Sequence, residues 1–272
     1  MLTRDFIYAS LYAKEAGYFT TEQREVLHAP TQSIDFGNLW GAGEYRNVVA
    51  QLYKERPEAW LTPVEVFAPY YSQALVRYML NSPFFRKELE IFEIGGGSGS
   101  NALHILNYLK EQVPDVYAKT KYTLIEISPV MAERQRRRVA AVHPEQCKCF
   151  FLAMEVLDNL PHDKVTLQNG KWYETIVQEK EGADGFETSV LQESMRPVKD
   201  ELIRVTKDHD TYLVKGGIAD IFFATDFEKL KKAYCSSLAR QPDEVSVIKS
   251  SEFLKEFADT QKTKTITRSL NK

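Results

Sequence analysis

The sequence predicts an α/β fold, a parallel sheet with helices on both faces. Three observations predict it. A strand-like run ends directly in a glycine-rich turn at Gly95–Gly99; a helical run follows the turn; and two further strand-like runs come later, separated by a second helix.

Each element has its own justification. Residues 1–88 read as a cap of helices and loops rich in Tyr, Phe and Trp, and residues 89–272 as the sheet domain. Within the cap, SQALVRYML (72–80) spaces Ala74, Leu75, Tyr78 and Met79 by three and four, as one helix face requires. Asn81-Ser82-Pro83 ends that helix, because proline cannot continue it. LEIFEI (89–94) is short, apolar and β-branched, the signature of a buried strand. GGGSGS follows, and then NALHILNYLKE, whose His104, Asn107 and Glu111 line one side of a helix. KYTLIEI is the second strand. Ser128-Pro129 then suits an N-cap with proline at the first helical position, opening a helix to about Val142. CKCFFLA is the third strand. Beyond Asn159 we expect a strand at KWYETIVQE and a helix beginning at MRPVKDELIRV. IADIFFATDFEKLKKAY reads as a strand, a turn and a helix, SSEFLKEFAD as a short helix, and TKTITRSL as a last strand.

The bulk numbers restrict the function classes. The chain has 272 residues, 43% of them apolar, and a formal net charge of −3, so no excess of Lys and Arg exists to neutralise nucleic-acid phosphates. Cys147, Cys149 and Cys235 can neither form a disulfide framework nor supply paired zinc ligands, and no metal site is expected. No apolar run approaches the roughly 20 residues of a membrane helix. The N-terminal MLTRDFIYASLYAKEAGYF lacks a signal peptide's apolar core, and Asp5 and Glu15 argue against a transit peptide.

Chemistry concentrates at the first strand–turn–helix. Glycines at 95, 97 and 99 leave no side chain between backbone and ligand, and the free N–H groups of the next helix face the same space. Glu126 stands at the end of the second strand, 31 residues after Gly95. A carboxylate there can accept hydrogen bonds from both ribose hydroxyls of a nucleoside; the alternative is a solvent-facing strand end. Loop and acid alone do not separate a dinucleotide from S-adenosylmethionine, so a nicotinamide-dependent oxidoreductase is also compatible.

The wording of three segments goes further. EIGGGSGS, LIEISPVMAERQ and MEVLDNLPHD follow the order of the MidA-like S-adenosylmethionine-dependent methyltransferases, a family that includes the mitochondrial assembly factor of respiratory complex I. ASLYAKEAGYFT resembles its opening element and LTPVEVFAPYYSQALVRYM its Thr-x-x-Glu stretch. ADIFFATDFEKL and SSEFLKEFAD are similar to its late segments. The resemblance implies a Rossmann-like class I methyltransferase sheet behind the helical cap, with S-adenosyl-L-methionine as cofactor. Glu93, Gly95, Gly97, Gly99 and Glu126 would bind it, with Ile127 beside the adenosine. Glu155 and Asp158 match the family's acidic pair and would be the catalytic residues; capping a helix N-terminus is the competing role. The resemblance further implies arginine methylation on a complex I subunit and a mitochondrial location, with a cytoplasmic one as the alternative.

Other candidates are weaker. Arg134, Arg136, Arg137 and Arg138 read as a solvated helix face, and His162 near the site as a structural histidine or a proton acceptor. Thr62, Pro63 and Glu65 read as a turn or a closure over the cofactor. Two departures from the family stand out. Only Ala141–Gln146 are left for a strand and loop before CKCFFLA, and residues 183–212 contain no convincing apolar strand. A shortened protein that keeps the fold without the chemistry, acting in assembly, is therefore the second reading.

Overall fold

The computed structural model describes residues 1–14, 16–21, 26–27, 30, 32–55, 60–83, 85–139, 149–168, 171–181, 189–193, 213 and 220–265. In chain order these form α1 (Thr3–Tyr12), α2 (Ala42–Glu55), α3 (Pro63–Val66), α4 (Tyr70–Asn81), β1 (Glu90–Ile94), α5 (Ser100–Gln112), α6 (Pro114–Tyr117), β2 (Lys121–Ile125) and α7 (Pro129–Val139). There follow β3 (Cys149–Ala153), β4 (Val165–Gln168), β5 (Lys171–Glu174), β6 (Val177–Glu181), β7 (Ser189–Glu193), α8 (Phe227–Ser237) and α9 (Ser250–Phe257). The chain divides into two compact units, one of residues 1–24 and 155–224, the other of residues 25–154 and 225–272. Residues 25–88 group with 89–154, so the position between 88 and 89 lies inside the second unit.

The second unit carries the expected α/β fold. Its sheet is parallel, in the order β2-β1-β3, with Glu90 opposite both Lys121 and Cys149 and Ile94 opposite both Ile125 and Ala153. Parallel neighbours need a crossover, which α5 and α6 supply between β1 and β2. The core lies between β1 and two helices. Leu75, Val76 and Met79 of α4 meet Leu89, Ile91, and Ile105 and Leu109 of α5. Each such side chain contributes roughly 1.5–3 kcal/mol on burial. Ala102 and Leu106 of α5 pack with Val139 of α7 against Tyr122 and Leu124 of β2. At the other side of α4, Arg77 donates to the Phe257 carbonyl at 3.0 Å and Tyr78 packs edge-on against Phe253 and Phe257, which seats α9. A separate cluster of Ile34, Phe36 and Val66, with Phe67 stacked on Phe36, holds the segment before α4.

The first unit is built from α1 and two antiparallel hairpins, β4–β5 and β6–β7. Thr3 Oγ1 donates to the Thr175 carbonyl at 3.0 Å, and the Met1 and Val177 main chains exchange hydrogen bonds at 2.9 and 3.0 Å. These ties divide KWYETIVQE, expected as one strand, into β5 and β6: at Thr175–Ile176 the chain leaves β4 and turns to α1, Ile176 bridging Leu2.

Two more expectations need correcting. Residues 220–225 form no strand, because Phe223 N donates to the Asp158 carbonyl and Ile221 O accepts from the Asn159 side chain, which replaces a ladder with side-chain and turn bonds. Residues 183–212 do hold a strand, β7, but it pairs antiparallel with β6, so it needed no continuous apolar run. The helix expected from MRPVKDELIRV, residues 141–146 and Ile266–Leu270 lie outside the described residues. Among the described residues no helix is long and apolar enough to cross a membrane.

Candidate functional site

β1 delivers the glycine loop, and the loop's first act is to extend the sheet. Gly95 N donates to the Ile125 carbonyl at 2.8 Å, which places the bend beside the end of β2. Gly97 and Gly99 then take φ of 50° and 78°, a region that side chains disfavour. Space forbids side chains as well. A Cβ on Gly97 would run into Leu27 Cδ1, and one on Gly99 would come within 3.3 Å of Gln135 Cα. Gly99 lets α5 begin hard against α7.

Glu126 turns back onto this bend. Its Oε2 accepts from Gly97 N at 3.2 Å and from Gln135 Nε2 at 3.1 Å, and its Oε1 accepts from Ser128 N at 2.9 Å. Gln135, on α7, also donates to the Gly97 carbonyl at 2.8 Å. The acid and the loop are therefore one hydrogen-bonded assembly. Ile127, next along, is 57% exposed, an apolar surface beside the carboxylate.

Glu93 braces the loop from behind. It is 3% exposed and accepts from Asn101 Nδ2 at 2.8 Å and from the Tyr122 hydroxyl at 3.1 Å. Burial pushes its carboxyl up, the two donors pull it down, and the negative charge of Glu126 raises it further. Burial and the charge and bond of Glu93 hold the Tyr122 phenol well above its ordinary value.

Two further side chains join the loop. Ser98 Oγ donates to Glu65 Oε1 at 2.5 Å and lies 2.8 Å from Ser100 Oγ. Glu65 thus ties α3 to the bend. Arg138 departs from the solvated face expected of its cluster. Arg136 and Arg137 pair with Glu133 in solvent, whereas Arg138 Nη1 donates to Ser98 Oγ at 3.2 Å. Burial, and secondarily Arg138, lower His104 to about 4, so that imidazole is neutral at neutral pH.

Glu155 and Asp158 belong to the first unit. Glu155 sits at φ 52°, and burial followed by the charge of Asp158 pushes its carboxyl up. Asp158 lies in the short Leu157–Asn159 turn. No sequence signal announces what surrounds that turn. Asn159 Nδ2 donates to Asp220 Oδ1 at 2.8 Å and to the Ile221 carbonyl at 2.9 Å, and the Tyr12 hydroxyl donates to the Asn159 carbonyl at 3.1 Å. Burial first, then the charges of Asp158 and Glu155, raise Asp220 from 3.8 to about 7 against the pull of its Ile221 N–H bond. Tyr12 rises to about 12, by burial first and then the charges of Asp220 and Asp158. His162 lies edge-on to Phe223 with ring centroids 4.3 Å apart.

A nucleoside cofactor can be tested against these residues. The side-chain-free bend and the carboxylate on the neighbouring strand end adjoin one another, as a nucleoside needs. The Leu27 side chain lies against the face at Gly97. The donor set fits S-adenosylmethionine. Among the described residues no His, Cys, Asp and Glu group could hold a metal ion, and Cys235 is buried and free.

Residues 72–209, just over half of the chain, match the model of a family described as "Putative S-adenosyl-L-methionine-dependent methyltransferase". Two solved structures from Burkholderia thailandensis are similar. One, bound to S-adenosyl-homocysteine, is 21% identical with a TM-score of 0.45, the match covering 74% of this chain and 46% of that one. The other, from an uncharacterized protein, is 19% identical with a TM-score of 0.41, covering 73% and 44%. The chain thus spans less than half the length of these two proteins. No curated protein matches it.

Proposed function

From the premise that the chain belongs to this S-adenosylmethionine-dependent methyltransferase family, we propose that it methylates a protein, on arginine, and that the substrate is a subunit of respiratory complex I in the mitochondrion. One observation carries the cofactor half of this reading: the Glu126 carboxylate and the Gly97 N–H meet at 3.2 Å across two adjacent parallel strand ends. The arginine half rests on the resemblance of MEVLDNLPHD to the family's acidic segment and on the chemistry of Glu155 and Asp158.

The cofactor supplies a methyl group activated by its sulfonium. Gly97 and Gly99 would let it lie on bare backbone, Glu126 would take the ribose hydroxyls and Ile127 would flank the base. Glu93 holds the bend's shape from the rear through Asn101. Glu155 and Asp158 suit a guanidinium, whose planar fork is matched by carboxylates. The nitrogen that takes the methyl group would lose one proton, and Glu155 and Asp158 would orient that nitrogen and accept the proton. Little covalent work is left to the protein, so positioning supplies most of the acceleration.

Isothermal titration with S-adenosylhomocysteine tests the first half: saturable binding is expected, and none with NAD. Intact-mass analysis of a complex I subunit peptide tests the second, after incubation with methyl-labelled cofactor. One added methyl on the arginine form and none on its lysine variant is the expected result. A second reading is binding without transfer, by a protein that keeps the fold without the chemistry and acts in assembly. Bound S-adenosylhomocysteine with no mass gain on any complex I peptide would decide for it.

A further inference from the structure

The chemistry of the first unit has a centre that the acidic pair alone does not explain. Asp220 lies outside the residues that match the family model, yet three segments meet at the turn it holds. From α1, Tyr12 donates to the Asn159 carbonyl. From the turn, the Asn159 amide donates to Asp220 Oδ1 and to the Ile221 carbonyl. From residues 220–223, Phe223 N donates to the Asp158 carbonyl at 3.0 Å and Ile221 N donates to Asp220 Oδ1 at 2.7 Å. Asn159 is 7% exposed, so a lost partner could not be replaced by bulk water and would leave a buried amide unmatched.

We propose that Asp220 is a positioning residue: its carboxylate fixes the Asn159 side chain, and through it the turn that presents Asp158, so that protonating Asp220 loosens the turn. The proposal rests on the reading of Glu155 and Asp158 as the acids that meet the substrate. An ionised carboxylate accepts an N–H bond about twice as strongly as a neutral acceptor, which makes the hold depend on charge. Among the described residues, the Glu155 and Asp158 carboxylates oppose the ionisation of Asp220, and the Tyr12 phenol faces it. Its rise to about 7 brings the change into the physiological range. His162, edge-on to Phe223, is the neighbouring imidazole, and its replacement is the control.

The decisive measurement is an NMR titration of the full chain from mildly acidic to mildly alkaline pH, following the Asp220 carboxyl and the Asn159 side-chain amide. In the wild type both resonances should shift together, with an inflection near 7. The Asn159 inflection should vanish in Asp220→Asn, which keeps an acceptor but not a charge, and should persist in His162→Asn. An Asn159 amide that does not respond, or an inflection that leaves with His162, overturns the proposal. In parallel, Asp220→Asn should leave S-adenosylhomocysteine affinity unchanged. It should raise KM for an arginine peptide several-fold at alkaline pH and flatten the pH profile of kcat/KM. If the wild type binds S-adenosylhomocysteine but methylates no arginine peptide, the arginine reading fails while the NMR result still decides the proposal.

Discussion

The two units surround their carboxylates differently. Around the glycine loop each acid is met by neutral donors: Glu93 by Asn101 and Tyr122, Glu65 by Ser98, Glu126 by two backbone N–H groups and Gln135. Around the Leu157–Asn159 turn, Glu155, Asp158 and Asp220 face one another, and the carboxyls of Glu155 and Asp220 are pushed up by burial and mutual repulsion. The first arrangement satisfies its charge internally and so holds a shape. The second meets Asp220 with the Asn159 amide and the Ile221 N–H but sets three carboxyls against one another, which suits a cation arriving from outside. A loop that must present backbone to a nucleoside needs the former, and a site for a guanidinium needs the latter.

The sharpest way to break the comparison is at Gly97. Gly97→Val should lower S-adenosylhomocysteine affinity by at least about 100-fold, roughly 2.8 kcal/mol, because a branched side chain meets both a disfavoured φ and Leu27. Unchanged affinity by calorimetry would remove the bend from the site. Next comes Glu126→Gln, which keeps the shape but not the charge. Affinity should fall roughly 10- to 100-fold, matching the roughly 1.5–3 kcal/mol of a hydrogen bond to a charged group.

Asp220→Asn probes the other unit through stability. Because the folded-state carboxyl is raised from 3.8 to about 7, its favourable contribution is complete at acid pH and is lost as pH rises through about 7. The variant and the wild type should therefore melt alike near pH 4. The variant should gain as pH rises and lead by a few kcal/mol at most above 7, since each tenfold change in proton affinity is worth about 1.4 kcal/mol. Thermal melts at several pH values read this directly; a lead that shrinks with rising pH contradicts it. The smallest effect is at Leu27. Truncation to alanine should tighten S-adenosylhomocysteine a few-fold, since moving a packed leucine off its rotamer costs about 0.5–1.5 kcal/mol. Weaker binding would make Leu27 a wall of the pocket instead.

Legibility in the sequence followed locality. β1, β2 and β3, and the helices after them, were readable because apolar period and turn chemistry sit within a few neighbours, as in LEIFEI before the glycines. The pairing of Gly97 with Glu126 was foreseeable because one strand–helix–strand unit separates them. Contacts between distant segments were not. Asp220 finds Asn159 across 61 residues, and Glu65 finds Ser98 across 33, with no periodicity to announce either. The strand expected in IADIFFATDFEKLKKAY is absent from residues 220–225 for the same reason: IADIFF has a strand's composition, but Asn159 and Asp158 take the hydrogen bonds a ladder would need. β7 was missed because its polar SVLQE lacks the apolar signature of a buried parallel strand, and an antiparallel hairpin asks for none.

Gln135 has a mechanical consequence. A single amide on α7 touches the carbonyl of the bend and the carboxylate of its partner, so neither can drift without dragging the other. Sliding α7 along α5, where Gly99 admits it so closely, would move the bend and the carboxylate in step. Relaxation measurements on the Gly97 amide and the Glu126 side chain should therefore return one shared exchange rate, and Gln135→Ala should split it into two.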